Sequence, residues 1–141
     1  MTGALNGKRV LFLVANEGVE QVELTEPWRA VQQAGGHPVL VAPRPGEVAA
    51  FHHLDRADRF PVDLTTAQLS ADEDCAGVVL PGGVANPDQL RLDDAAVSFV
   101  RAWCEAGRPL AAICHGPWTL VEADVVRGRT LTSWPSLRTD I

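Results

Sequence analysis

The sequence predicts an α/β fold in which a mostly parallel sheet carries helices on both faces. Short β-branched apolar runs alternate with longer segments in which apolar residues recur with the 3.6-residue period of a helix. The connections between them are short, and strand–helix–strand units of this kind close as right-handed crossovers. We therefore expect a flavodoxin-like three-layer sandwich. With 141 residues, the chain should form one domain, residues 1–141, around one core.

Composition narrows the classes of function. Hydrophobic residues make up 46% and charged residues 21% of the chain, as in globular proteins. The 18 acidic residues exceed the 12 basic ones, and no basic run offers a nucleic-acid surface. The apolar runs are too short to span a bilayer, and the N-terminus does not resemble a signal peptide. We expect a cytoplasmic protein that binds neither nucleic acid nor membrane.

The first half of the chain contains two predicted strands and one long helix. Lys8–Ala15 is a near-continuous apolar run typical of a buried parallel strand. Residues 21–34 carry a helical apolar stripe that Gly35 ends, and Pro27 inside it predicts a kink or a later helix start. His37–Ala42 is the second strand. Alternation in residues 47–51 and 60–64 predicts a small hairpin.

The second half repeats the pattern. Cys75–Leu80 is a further buried strand, and Asn86 with Pro87 is typical of a helix cap. A second long helix is predicted from apolar residues at three- and four-residue spacing, closed by Gly107; they are Ala96, Phe99, Val100 and Trp103. Pro109–Cys114 is the strand that follows it.

The carboxyl ends of three strands carry the residues that suggest chemistry. In an open parallel sheet, ligands bind beyond these ends, which here read Ala15-Asn16-Glu17, Pro81-Gly82-Gly83 and Cys114-His115. A thiol at a strand-to-helix turn resembles a nucleophile elbow, and the helix N-terminus should favour the thiolate. The glycines allow backbone N–H groups to face a ligand. Cys114 is thus the candidate nucleophile.

Three segments resemble a known family. They are AAICHGPWTLVEADVVRGRTLTSWPS (111–136), LPGGVANPDQLRL (80–92) and VANEGVEQVELTEP (14–27). Together they are similar to the PfpI-type intracellular proteases and deglycases, in the ThiJ/PfpI branch of the class I glutamine amidotransferase-like superfamily. The resemblance covers essentially the whole chain. Family members usually continue through a further strand and a closing helix, so we expect a C-terminally short version of the domain.

The resemblance implies roles for individual residues. Cys114 would be the nucleophile, His115 its partner and Glu17 the acid that hydrogen-bonds the sulfur. Backbone N–H groups of Gly83 and His115 would form an oxyanion site. Asp88 matches an acidic residue that reaches the histidine of a neighbouring subunit, which implies a homo-oligomer, a dimer or a hexamer.

Other residues have plainer interpretations. Gly82 and Trp118 are candidates for the substrate pocket, although packing in the structure is the favoured interpretation of both Trp118 and Trp134. Cys75 and Cys104 fit core positions better than catalytic ones. Three cysteines without a CxxC spacing suggest neither a disulfide framework nor a zinc site. We expect no metal and no cofactor.

Two classes of function remain open. The resemblance implies a stress-protective, cysteine-dependent hydrolase or lyase that acts on reactive carbonyls and on their adducts with proteins or peptides. Deglycase, glyoxalase III and peptidase activities all fit one such site. The alternative is a stress protein without turnover, redox-sensing or chaperone-like, that uses an oxidisable Cys114. Glutamine amidotransferase chemistry is disfavoured because no histidine follows His115.

Overall fold

The computed structural model describes residues 3–141; Met1 and Thr2, the first two residues of the predicted domain, lie outside the described residues. The strands are β1 (Arg9–Leu13), β2 (Glu17–Glu20), β3 (His37–Ala42), β4 (Glu47–His52), β5 (Asp55–Pro61), β6 (Leu64–Thr65), β7 (Gly77–Leu80) and β8 (Leu110–Ala112). The helices are α1 (Gln21–Gln33), α2 (Ala85–Leu90), α3 (Asp94–Glu105) and α4 (Pro117–Glu122), with short 3-10 turns at Thr66–Gln68 and Pro135–Leu137. Within residues 3–141, no helix has the length and apolar character needed to cross a membrane.

A five-stranded parallel sheet forms the centre of the molecule. Its strand order is β6-β3-β1-β7-β8, so β1 lies between β3 and β7, and β7 lies between β1 and β8. This order confirms the predicted flavodoxin-like class. It also makes the carboxyl ends of β1, β7 and β8 neighbours, which is what brings the three candidate segments together.

Helices cover both faces of this sheet. On one face, α3 and α4 pack in a core that includes the four predicted apolar residues of α3, all of them buried. On the other face, α1 and the hairpin strand β4 pack in a second core. Phe12 and Trp28 meet in that second core, with ring centroids 5.1 Å apart. The sheet is therefore the middle layer of three.

A second, smaller sheet contains the predicted hairpin. Its order is β2-β4-β5, with β4 and β5 antiparallel and β2 parallel to β4. The second hairpin strand begins earlier than predicted, at Asp55, and Leu64 belongs instead to β6, which pairs with β3. Strand β2 was not predicted, because a Glu-Gly-Val-Glu segment has neither β-branched enrichment nor clear alternation.

Two helix boundaries differ from the predictions. Helix α1 begins at Gln21 and runs through Pro27 instead of starting there. The predicted cap at Asn86 and Pro87 is wrong, because both residues lie buried inside α2, whose N-cap is Val84. Helix α3 has an ordinary cap, in which the Asp93 carboxylate accepts a hydrogen bond from the Ala96 N–H at 2.9 Å.

Candidate active site

Cys114 lies at a strained turn directly after β8. Its φ is +58°, a value that side chains other than glycine rarely adopt. Two backbone hydrogen bonds hold the turn: Gly116 N–H to Ile113 C=O at 2.7 Å, and Trp134 N–H to Cys114 C=O at 2.8 Å. The turn therefore has the geometry of a nucleophile elbow, in which strain points the thiol beyond the end of the sheet.

The acid beside the thiol is Glu23, and the prediction of Glu17 is wrong. The Glu23 carboxylate lies beside the Cys114 side chain, and its negative charge raises the pKa of the thiol. Glu17 is exposed, and its carboxylate pairs with the Arg56 guanidinium at 2.9 Å. Glu23 reaches the sulfur because it belongs to the first turn of α1, which begins at the edge where the parallel strands end.

Gly82 holds Glu23 in place. Its N–H donates to Glu23 Oε2 at 2.6 Å, a short charge-assisted bond. A β-carbon on Gly82 would come within 2.5 Å of that oxygen and 2.7 Å of the Cys114 β-carbon, so only glycine fits between the two side chains. Gly82 is thus a buried support for the site. The prediction that it lines the cavity is wrong.

Asn86 ties the strand ends together. Its Oδ1 accepts a hydrogen bond from the Ala15 N–H at 2.6 Å, and its Nδ2 donates to Pro81 C=O at 2.9 Å and to Gly82 C=O at 3.0 Å. The side chain is fully buried, and all of its hydrogen-bonding groups point into this one network. The residue fixes the end of β1 against the glycine loop that holds Glu23.

His115 lies against the thiol, as the sharp turn allows. Its Nδ1 is 3.2 Å from Cys114 Sγ, and the residue is only 6% exposed. The imidazole packs edge-on against Trp118, with centroids 5.2 Å apart, and stacks on Trp134 at 5.6 Å. Burial lowers the pKa of His115, which favours a neutral ring that can accept a proton.

Burial and charge shape the titration of the thiol and the carboxyl together. Burial raises the pKa of Glu23, a shift that the Gly82 N–H partly offsets. Burial also raises the pKa of Cys114, and the negative charge of Glu23 adds to it, whereas the backbone N–H groups of Gly83 and His115 lower it. The sequence predicts that a helix N-terminus favours the thiolate; in the structure α4 begins only at Pro117, and the carboxylate beside the sulfur opposes the thiolate form.

The thiol opens into a cavity of about 1020 Å³. Gly83, Cys114 and His115 line its floor, and Trp134 forms part of its wall. The prediction that Trp118 lines the substrate pocket is wrong. Trp118 packs behind His115, and its Nε1–H donates to Asp140 Oδ2 at 3.1 Å. Four exposed apolar side chains surround the mouth; these mouth residues are Val22, Leu54, Val84 and Leu92.

The remaining candidates lie apart from the thiol. Asp88 is exposed at the cavity rim, where Gln89 Nε2 approaches its carboxylate at 3.3 Å. Cys75 and Cys104 are half-buried, and burial raises the pKa of both thiols. Within residues 3–141, no group of three or more His, Cys, Asp or Glu side chains is arranged to hold a metal ion.

Comparison with known proteins decides the family. The model of the DJ-1/PfpI family matches residues 8–141. The chain belongs to the DJ-1/PfpI family. Deglycase PH1704 of Pyrococcus horikoshii is 39% identical over 133 residues, which are 94% of this chain and 76% of that protein. The putative cysteine protease YraA of Bacillus subtilis is 31% identical over 134 residues, 95% of this chain and 76% of that one.

Solved structures of the DJ-1/PfpI family agree with the fold. A two-domain protein of Anabaena variabilis, with DJ-1/ThiJ/PfpI-like and ferritin-like domains, superposes with a TM-score of 0.84 at 31% identity. The match covers 94% of this chain and 37% of that longer protein. The named relatives support an enzyme of this family.

Proposed function

We propose that this protein is a cysteine-dependent deglycase, which releases free amine or thiol carriers from their adducts with dicarbonyls such as methylglyoxal. The observation that supports this proposal is the position of the Cys114 thiol, which lies between the Glu23 carboxylate and the His115 imidazole at the floor of an open cavity. Two groups that can take the thiol proton therefore flank one nucleophile. Deglycase is also the printed name of the Pyrococcus horikoshii relative.

The first step would be addition of the thiol to the carbonyl carbon of the adduct. The sulfur–carbon bond forms as the S–H proton passes to Glu23, whose raised pKa makes the carboxylate a stronger base than an exposed one. The carbonyl oxygen becomes an oxyanion, for which the backbone N–H groups of Gly83 and His115 are the candidate donors. The proton held on Glu23 is then available to the departing carrier.

The overall reaction consumes one water and no external oxidant, because the aldehyde carbon of the dicarbonyl is oxidised to a carboxylate as its ketone carbon is reduced to an alcohol. A methylglyoxal adduct of an amine would give lactate and the free amine, so carrier and acid appear in equal amounts. Methylglyoxal itself would give lactate at the same site, as in a glyoxalase III reaction. A peptidase would instead release new amino termini from unmodified peptides, an activity suggested by the name of the Bacillus subtilis relative.

The test is a turnover experiment with a preformed methylglyoxal adduct of an acetylated arginine or lysine. We expect lactate and the free side chain in equal yield, and many equivalents of each per mole of protein. An unmodified peptide that contains arginine and lysine controls for peptidase activity. Product that stops at one equivalent of protein, with oxidised Cys114 in the mass spectrum, would contradict the proposal and favour the redox-sensing or chaperone-like alternative.

Asp88 is proposed to complete the site from a neighbouring subunit. Its carboxylate is exposed at the cavity rim, so a second copy of the chain could bring it to another molecule's His115. We expect Asp88→Asn to lower kcat/KM about tenfold by freeing that histidine. Asp94→Asn, in the first turn of α3, is the matched control. The measurement is kcat/KM alongside sedimentation; a fully active monomer would rule out a shared site.

A further inference from the structure

Three aromatic rings form a stack behind the Cys114 thiol. His115 is the middle ring, packed edge-on against Trp118 at 60° and stacked on Trp134 at 23°. Among residues 3–141, the only side-chain hydrogen bond of the imidazole is its contact with Cys114 Sγ. Within one chain, the orientation of the His115 ring is therefore set by aromatic packing together with its contact with the thiol.

Trp134 is the outer ring of this stack. Its indole is 52% exposed and forms part of the cavity wall. Its backbone N–H donates to the Cys114 C=O at 2.8 Å, which fixes the indole relative to the strained turn. The residue thus reaches the site through two independent contacts, one from the main chain and one from the side chain.

The segment that follows Trp134 is anchored at two points. Leu137, in the short 3-10 turn that follows, is fully buried. Asp140 accepts the hydrogen bond from the Trp118 indole, so the segment closes back onto the inner ring of the same stack. Trp118 is itself covered by Arg91, whose guanidinium lies 5.9 Å from the ring centroid. A segment fixed in this way can hold the Trp134 ring against the imidazole.

We propose that Trp134 is a positioning residue, whose indole holds the His115 ring with Nδ1 on the Cys114 sulfur and shields that ring from water. The proposal rests on the proposed function, because it assigns the His115–Cys114 contact a part in the chemistry. Trp134 itself transfers no proton, since an indole N–H is only a donor. Its effect is on where the imidazole lies and on how easily that ring becomes charged.

The experiment uses three variants of the full chain. Trp134→Ala removes the outer ring, Trp134→Phe keeps an aromatic face, and none of the substitutions touches the backbone bond to Cys114. Trp28→Phe is the matched control, because Trp28 packs on Phe12 in the core across the sheet. The measurements are the pH titration of the His115 ring by NMR, the rate of Cys114 alkylation by iodoacetamide, and kcat and KM separately.

We expect Trp134→Ala to move the His115 titration upward toward the ordinary histidine value, since the ring gains water. We also expect kcat to fall about tenfold with a smaller change in KM, as for a misplaced proton acceptor. Trp134→Phe should restore the wild-type titration and most of kcat, and Trp28→Phe should change neither.

An unchanged His115 titration in Trp134→Ala would overturn the proposal. A change in KM alone would also overturn it, because it would show that Trp134 only lines the cavity. The NMR spectrum reports folding in each variant, and Trp134→Leu replaces the alanine variant if that one unfolds. Because the titration needs no substrate, it tests Trp134 even if the wild-type protein shows no deglycase turnover. The two proposals can therefore fail separately.

Discussion

Cys114→Ser is expected to lower turnover of methylglyoxal adducts at least about a thousandfold, as loss of a nucleophile does in other enzymes. The serine hydroxyl is a far weaker nucleophile than a thiol, because an alcohol is much too weak an acid for the Glu23 carboxylate to ionise. The substitution changes one atom in a half-buried side chain, so the fold and the melting temperature should stay close to those of the wild type. Lactate release and thermal unfolding, measured on the same sample, check both expectations.

Cys104→Ser provides the matched control for this result. It makes the same chemical change at another half-buried cysteine, in α3 and outside the cavity. We expect it to keep wild-type turnover. Loss of activity in Cys104→Ser together with an active Cys114→Ser would show that Cys114 is not the nucleophile.

Glu23→Gln is expected to change the reactivity of the thiol and the turnover in opposite directions. Burial and the negative charge of Glu23 both raise the pKa of Cys114, and the glutamine amide removes the charge while offering an N–H to the thiolate. Alkylation by iodoacetamide at neutral pH should therefore become faster. Turnover should fall about a hundredfold, because the amide cannot accept the thiol proton.

The pH dependence of stability gives a second readout for the same variant. Burial raises the pKa of Glu23 in the folded chain, so the protonated carboxyl stabilises the fold at acidic pH and this stabilisation is lost as the pH rises through the raised pKa. Glutamine resembles the protonated carboxyl at every pH. We expect Glu23→Gln to melt at a higher temperature than the wild type at pH 8 and at the same temperature at pH 4.

Glu17→Gln is the control for Glu23. Glu17 also lines the cavity, but its carboxylate pairs with Arg56 at the surface. We expect neither alkylation nor turnover to change by more than about twofold, as for an exposed ion pair of small energetic weight. If Glu23→Gln instead slowed alkylation across the pH range, the resting site would contain a thiolate paired with a protonated Glu23, and Glu23 would not be the base.

The position of the Cys114 thiol could be predicted from the sequence because it follows from topology. Short parallel strands place their carboxyl ends on one edge, and the strand that ends at Cys114 is adjacent to the one that ends at the glycine pair. The apolar stripe of α3 was predictable for a similar reason, since its 3.6-residue period is local. The first inference needs only the order of the elements, and the second needs only the local sequence.

The identity of the acid could not be predicted in the same way. Residues 17–26 contain four glutamates, and composition alone cannot separate them. The family resemblance implied Glu17, which follows the first strand, whereas the acid beside the thiol is Glu23, in the first turn of α1. The useful signal was the start of that helix at the strand edge, since a side chain in its first turn can return to the strand ends.

Long-range contacts account for the other differences. Trp118 follows the elbow closely in sequence, yet Trp134 forms the wall because the chain returns to donate its N–H to Cys114. Asn86 beside a proline has the local pattern of a helix cap, but a long-range hydrogen bond from the Ala15 N–H and two bonds to the loop before α2 hold it inside the helix. Local propensity is overridden where a buried side chain has partners from other elements.

The exposed apolar side chains at the cavity mouth have a consequence for protein engineering. Leu54 is 92% and Leu92 75% exposed, and neither belongs to the network that holds the thiol, the carboxyl and the imidazole. A variant library confined to the mouth residues would alter which carriers enter while leaving the reactive groups in place. Polar substitutions there would also reduce the apolar area open to water, so altered selectivity and weaker self-association should come from the same set of mutations.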